Sequence, residues 1–414
     1  MPQPHTGVPE RVEPWFISNA SLPGTAGRWR IGIAGYRIAS VVPQDDAGAA
    51  DLGRSWDAGG RLVSPGFVDP HVHLDKCLTT ARSPGTAPNL DAAIRAVRAI
   101  KAGFSVADVA ERGRRALRMG LQQGTIAVRS NCEVDRSAGF RALEGLQQAS
   151  REMASQVDVQ LIAFPQEGWF DTPGTIEDGA GTFVAESLSR GVKVVGGNVN
   201  AGLWPSSAEA QVDATFELAA AHDCAIDYHL DNADVAHVFT LPYVADKTIA
   251  QGWQGRVAVS HIASLAQVSD AAAAQAIDKV RDADISVCVL PTRIRLTRVV
   301  ELLEAGVNVA CGTDNLRDPF VRFGDADPLK ALLLLAQLTF ELSDTSLERL
   351  WTTATTRAAR MLRLPDYGLA PDCAADLMVI DAYSVPQAIR EQSTRLAVFK
   401  AGIQVAGPLH LHRD

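Results

Sequence analysis

His71-Val72-His73 closes the apolar run Leu62-Val63-Ser64-Pro65-Gly66-Phe67-Val68-Asp69-Pro70. Side chains on a strand alternate faces, so residues two apart point the same way. Two imidazoles therefore converge at a strand end, which is half of a metal site. Isolated His and Asp residues recur at the ends of later apolar runs: Ala225-Ile226-Asp227-Tyr228-His229, Val257-Ala258-Val259-Ser260-His261 and Ala310-Cys311-Gly312-Thr313-Asp314. Four of the nine histidines fall in this set; His5, His222, His237, His410 and His412 sit in tails or helix-like stretches and read as solvated. Three neutral imidazoles and one carboxylate suit a divalent ion such as zinc, with a position left for water. Such an ion lowers the water's pKa from about 15.7 towards about 7. Asp314 would touch both ion and water and take the attacking proton. His261 need not ligate; it would support developing charge or hold the nucleophile. Cys77, four residues after His73, reads as a packing residue rather than a ligand.

Residues of this kind need a scaffold that brings strand ends together. Strand-like runs occur at 62–69, 124–130, 158–164, 192–197, 224–229, 256–261, 285–290 and 307–313, with amphipathic stretches such as 106–122, 138–154, 208–222, 270–283 and 296–304 between them. Strands alternating with helices imply parallel β/α units. Eight of them predict a (β/α)8 barrel, whose chemistry lies at the C-terminal strand ends. The stretch from Cys77 to about Ala92 reads as an active-site loop. Short β-like runs at 15–18, 29–33 and 36–42 and again at 376–381 and 396–402 predict one small β domain built from both termini. The expected organisation is residues 13–62 plus 366–412 for the β domain and 63–365 for the barrel, with residues 1–12 disordered.

The 414 residues are 47% hydrophobic and 21% charged, which supports a large core. A net charge of -9 argues against nucleic acid or an anionic membrane as partner. No apolar run is long enough to span a bilayer. The opening Met1-Pro2-Gln3-Pro4-His5 lacks a basic-then-apolar pattern, so no signal peptide is expected. The six scattered cysteines, without a C-x-x-C pair, read as reduced thiols of a cytoplasmic protein.

These segments resemble the amidohydrolase superfamily, in its cytosine deaminase-like branch. The likeness is carried by Pro65 to Asp75, by Phe164-Pro165-Gln166-Glu167-Gly168, by the strand end at His229, by Ser260-His261, by Thr297 to Val309, and by Tyr367-Gly368-Leu369 with Ala375-Asp376-Leu377. It runs from about residue 15 to about 407. The resemblance implies a distorted (β/α)8 TIM-like barrel, a small composite β-sandwich, and one catalytic metal held by His71, His73, His229 and Asp314. Zinc is the first expectation, with iron and manganese compatible. No lysine ends the fourth strand, where two-metal members carry a bridging carbamate; Lys193 lies near that strand's start, so one metal is expected. Gln166 matches the glutamine that bonds the pyrimidine edge in that branch, and an amide can offer both a donor and an acceptor.

The departures bear on substrate. Asn232 stands three residues after His229, where cytosine deaminase carries a protonating Glu. An amide cannot deliver a proton at neutral pH, so Asp231 or Asp234 substitutes or the substrate needs no such step. Arg129-Ser130-Asn131-Cys132-Glu133-Val134 replaces a His-x-Asp version and is expected to alter the pocket wall. Lys76, which reads as a pocket cation or as a solvated loop residue, is similar to the N-isopropylammelide amidohydrolases, and the segment from Thr313 to Phe320 resembles that group as much as cytosine deaminase. Gln166, Lys76, Asn232 and Phe320 are thus the candidate substrate contacts, and Asp314, His261 and Asn232 the candidate catalytic residues. The expected partner is a small N-heterocyclic substrate, with a homo-oligomer in keeping with the branch. The expected reaction is deamination of a cytosine- or pyrimidine-type ring. The alternatives are removal of an alkylamine from a triazine and hydrolysis of a cyclic or exocyclic amide. Retention of the whole ligand set argues against a non-catalytic scaffold.

Overall fold

The computed structural model describes residues 14–46, 54–83, 85, 87, 89–172, 177–200, 206–232, 239–292 and 295–409. The chain begins with strands β1 (Trp15–Ala20), β2 (Trp29–Ala34), β3 (Arg37–Pro43), β4 (Arg54–Asp57) and β5 (Leu62–Pro65), followed by β6 (Phe67–Val72). Helices α1 (Leu90–Lys101) and α2 (Val106–Gln122) precede β7 (Thr125–Glu133), α3 (Arg141–Met153), β8 (Asp158–Phe164), α4 (Gly181–Ser189), β9 (Val194–Val199), α5 (Ala208–His222) and β10 (Ala225–Leu230). Then come α6 (Leu241–Ala250), β11 (Val257–His261), α7 (Asp270–Asp282), β12 (Ser286–Val289), α8 (Val299–Glu304) and β13 (Asn308–Cys311). The chain closes with α9 (Pro328–Thr339), α10 (Asp344–Thr353), α11 (Thr356–Leu362), β14 (Leu377–Ile380), α12 (Val385–Glu391), β15 (Arg395–Lys400) and β16 (Ile403–Ala406).

Strands β6 to β13 pair in sequence order as one parallel sheet of eight. All nine residues of β7 are buried, as expected for a strand covered on both faces. The sheet curls until its edges meet: Val72 on β6 bridges Asp314 just beyond β13. Asp314 N donates to His71 O at 2.9 Å, and His73 N donates to Asp314 O at 3.2 Å. Gly312 allows this approach, because a Cβ there would stand 2.9 Å from His71 Cβ. Register shifts along the β6–β7 pairing distort the barrel. Serine side chains cap α2, α5 and α7 by accepting the backbone N–H three residues on.

The run read from sequence as one barrel strand, 62–69, is two strands broken at Gly66. Residues Leu62–Pro65 pair antiparallel with β14 in a sheet of order β16-β15-β14-β5. A Cβ at Gly66 would come within 2.6 Å of Ile126, so only glycine lets the chain step from one sheet to the other here. The other small sheet, β3-β2-β1-β4, faces it across a core of Trp15, Ile17, Ile31, Val63, Leu377, Val379 and Phe399. Both ends of the chain therefore build one β-sandwich. In the stretch expected as a loop from Cys77 to about Ala92, α1 begins at Leu90 behind its Asn89 cap. Residues 1–12 lie outside the described residues. Among the described residues, no helix is long and apolar enough to cross a membrane. All six cysteines are free thiols. Cys77 is buried, donates to Leu74 O at 3.1 Å, and is pushed up to about 12 by burial, which fits a packing role.

Candidate active site

The period of two along each strand stacks functional residues up the barrel axis. On β7, Arg129, Asn131 and Glu133 face inward in ascending layers, and on β10 Asp227 and His229 do the same. Arg129 lies in the lowest layer. Its guanidinium pairs with Asp227 at 3.0 Å and donates to Gln160 Oε1 and to Met361 O. Arg129 is thus core structure and not pocket wall, contrary to the expectation for that segment. Asn131 and Glu133 are the β7 residues that reach the site.

One layer up, His71, His73 and His229 offer ring nitrogens that all lie within 4.8 Å of one another, and all three residues are buried. His73 Nε2 and His229 Nε2 are 3.1 Å apart. Asp314 Oδ1 stands 3.5 Å from His73 Nε2 and 3.7 Å from His71 Nε2. Two imidazole nitrogens facing each other form a hydrogen bond only if one carries a proton, whereas the lone pairs of both can converge on a cation. Ligands at about 2.0–2.1 Å from zinc lie about 3.3 Å apart in a tetrahedron, so the donor set fits one divalent ion. His71 Nδ1 lies 2.8 Å from Ser260 Oγ. Donation there places the ring proton on Nδ1 and leaves Nε2 as the lone-pair atom. The His261 ring centroid lies 5.0 Å from that of His229 and 5.6 Å from that of His71. His261 (φ 72°), Asp314 (φ 65°) and Asp231 (φ 47°) all adopt left-handed backbone. Such conformations cost about 1–3 kcal/mol each and persist where surrounding structure enforces them, often at functional sites. Lys193 is exposed just before β9, at the barrel end away from the histidines.

A cavity above this layer is lined by His73, Lys76, Gln166, His229, Asn232 and Phe320, together with Asn198, Asn200, Asn315, Leu90 and Ile94. The four substrate-contact candidates thus share one space with two of the histidines. Asp231 does not. Its carboxylate accepts from Thr240 N at 2.7 Å, Thr240 Oγ1 at 2.8 Å, Leu241 N at 3.3 Å and Ser264 Oγ at 3.2 Å, so it anchors the start of α6. Asp234 and His237 lie outside the described residues.

Lys76 is 1% exposed and pairs with Glu133 at 2.7 Å. Glu133 in turn pairs with Lys101 at 2.9 Å, and Lys101 also meets Asp135 and, at 2.7 Å, Glu167. Burial alone would raise the Glu133 pKa, but the Lys101 and Lys76 ammoniums outweigh it and hold the carboxyl at about 2. Burial pushes Glu167 up to about 7 although Lys101 opposes it. Asp135, Glu167 and Asp178 gather three buried carboxylates, with the Lys101 ammonium and, 3.5 Å from Glu167, the Arg98 guanidinium beside them. Sequence reasoning missed Ser260 as a histidine partner, the asparagines at 198 and 200, and Lys101. The signal for Ser260 was present, since it precedes His261 on a strand adjoining β10.

Comparison with known proteins agrees with this architecture. The model of the family described as "Amidohydrolase family" matches residues 54–201 and 198–406. N-isopropylammelide isopropyl amidohydrolase of Pseudomonas sp. (strain ADP) is 32% identical over 395 residues, covering 94% of this chain and 96% of the relative. Pterin deaminase of Rhizobium rhizogenes is 28% identical over 427 residues, covering 95% and 94%. The crystal structure of 5-methylcytosine deaminase from Klebsiella pneumoniae liganded with 5-fluorocytosine superposes with a TM-score of 0.87 at 26% identity, covering 96% of this chain and 99% of that one.

Proposed function

This chain belongs to the amidohydrolase family, metal-dependent hydrolases of C–N bonds, and from that premise we propose that it removes an amine from an amino-substituted N-heterocycle of the cytosine or pyrimidine type. The observation that carries this reading is the convergence of His71, His73, His229 and Asp314 at the floor of a cavity lined by Gln166 and asparagines. His71, His73, His229 and Asp314 would hold one divalent ion, with zinc the first choice. The bound ion supplies a nucleophile by lowering the pKa of water from about 15.7 to about 7. The Asp314 carboxylate accepts the proton released as the water oxygen bonds to the ring carbon bearing the amine. Asp314 then returns that proton to the leaving nitrogen as the C–N bond breaks, giving an oxo ring and ammonia or an alkylamine. His261 stands beside the ligand histidines, where an imidazole stabilises the charge that develops on the adding oxygen. Gln166 and Lys76 hold the ring edge, and Phe320 packs on it.

The test is a panel of amino-pyrimidines, amino-triazines and pterins with the metal-loaded enzyme. Release of ammonia or amine is the expected outcome, and none from any ring sinks the reading. Asn232 favours a second reading, hydrolysis of a cyclic or exocyclic amide, because it lines the cavity at the place of an acid. Ring opening would yield a carboxylate and no free ammonia.

Two substitutions probe separate parts of this site. Ser260→Ala removes the hydroxyl 2.8 Å from His71 Nδ1 that orients the ring, and metal affinity is expected to fall about 10–100-fold, read by competition with a chelator. An unchanged affinity would show that His71 is oriented by other means. Asn232→Glu restores a carboxyl group to the cavity, and kcat on cytosine-like bases is expected to rise about 10-fold or more, with a new acidic limb in the pH profile. No rise at any pH would place the exclusion of those bases in the cavity's shape.

A further inference from the structure

Just beyond β13 the chain places three residues of the site in quick succession: Asp314 at the histidine cluster, then Asn315 and Phe320 on the cavity wall. Between the two wall residues stands Asp318, which is 0% exposed. Its Oδ1 accepts from Phe320 N at 2.8 Å and from Val321 N at 3.0 Å, which closes an Asx-turn over Pro319. Its Oδ2 accepts from Asn315 Nδ2 at 2.9 Å. The Asp318 backbone N–H donates to Val321 O at 2.9 Å, so main chain closes the turn as well. One carboxylate therefore holds both wall residues, the asparagine by its side chain and the phenylalanine by its backbone.

The fit is chemical as well as geometric. These N–H groups need acceptors where little water reaches, and an ionised carboxylate offers about four lone-pair sites. Its charge has a counterpart in the Lys76 ammonium, which attracts it and lies 4.9 Å from the Phe320 ring. Arg317, just before Asp318, is in left-handed backbone (φ 50°), a conformation that persists where the surroundings enforce it. Asp314 is held by other means. Its N–H donates to His71 O, its carbonyl accepts from His73 N, and Thr313 N donates to Asp69 Oδ1 at 3.2 Å. The two ends of the segment are thus secured separately, the Asp314 end to β6 and the wall end to Asp318.

We propose, resting on the functional reading above and deepening it, that Asp318 is a positioning residue for the substrate. It acts through Asn315 and Phe320 and not through Asp314. Its carboxylate fixes the shape of the wall before a ring arrives, so neither side chain has to be ordered on binding, a step that otherwise costs affinity. Loss of Asp318 is then a loss of uniform binding, which raises KM and leaves kcat in place.

Asp318→Ala removes every bond that the carboxylate makes. The probes are cytosine and N-isopropylammelide, with the metal-loaded full-length enzyme. Kd by calorimetry and KM are expected to rise about 10-fold or more, with kcat within about threefold of native and metal content unchanged. Asp318→Asn keeps an accepting oxygen for the turn and an amide that pairs with that of Asn315, so its Kd and KM are expected within about threefold of native. If Asp318→Ala does not fold, Asp318→Ser takes its place, because a hydroxyl supports such a turn only weakly and offers one oxygen in place of two. An unchanged Kd in Asp318→Ala overturns the proposal. Loss of kcat or metal with Kd intact also overturns it, by making Asp318 act through Asp314. A loss in Asp318→Asn as large as that in Asp318→Ala overturns it too, since charge alone would then account for the effect. If neither probe binds the native enzyme, the reaction above loses its support and hydrogen exchange of the peptide spanning 315–322 judges the wall. Faster exchange in Asp318→Ala supports the proposal, and equal exchange overturns it.

Discussion

His229→Ala is expected to lose the bound ion and at least about 10³-fold in kcat/KM, because without the ion the attacking water returns from a pKa of about 7 to about 15.7. The argument is geometric. His229 ends β10, is buried, and brings Nε2 to 3.1 Å from His73 Nε2. Alanine there opens the donor set on one side and leaves three of four groups. Metal analysis per chain and a rate on any accepted substrate check the result together. His222→Ala, on an exposed residue at the end of α5, should change neither. A His229→Ala protein with a full complement of metal and native rate would remove His229 from the ligand set. A protein that keeps the metal but loses the rate would instead make His229 a substrate contact.

Lys101→Met is expected to cost about 3–5 kcal/mol of stability, the range for removing one partner from a buried ion pair. The ammonium is 1% exposed and stands among Glu133, Asp135 and Glu167. Methionine fills the space but takes from three buried carboxylates the ammonium they share, leaving Glu133 with Lys76 and Glu167 with Arg98. The deficit also has a pH signature. Glu167 already sits raised, at about 7, with Lys101 opposing the effect of burial, so loss of Lys101 raises it further. A carboxyl whose folded pKa exceeds its unfolded value destabilises fully above the folded pKa, and the penalty vanishes as pH falls to the unfolded one. The native protein carries the same Glu167 penalty up to its own folded pKa of about 7, so the Glu167 part of the variant's deficit should be absent well below about pH 7 and grow above it. Thermal melts of both proteins on either side of that pH check it. A constant deficit would mean that lost packing, not charge, is the cause. The double variant Lys101→Met, Glu167→Gln should lose less than the sum of the two single changes.

What the sequence made legible was local. Helices over 106–122 and 208–222 have the bounds that periodicity predicted, since an apolar stripe at helical spacing needs no knowledge of partners. The strand-end histidines were legible for the same reason: a period of two fixes direction within one strand. The break at Gly66 was not, because the run around it is continuously apolar and its two halves differ only in which sheet they join. Nor was Lys101. Its partners at 133, 135 and 167 are remote in sequence, and a lysine in an amphipathic helix ordinarily reads as solvated. Arg129 was placed too high in the barrel because its segment, and not its layer, was read. Asp231 was a candidate acid until its bonds to Thr240, Leu241 and Ser264 showed a helix anchor.

The place where the sheet's edges meet has a consequence for the whole molecule. His71 lies on the first barrel strand, β6, His73 just beyond its end, Asp314 just after the last, and an isolated bridge links the two edges there. A cation gripped from both edges would act as a clasp on the hoop. Its binding energy then adds to the cohesion of the entire barrel, growing with the logarithm of free metal above the dissociation constant. Starving the cell of that metal would cost the protein its lifetime as well as its turnover.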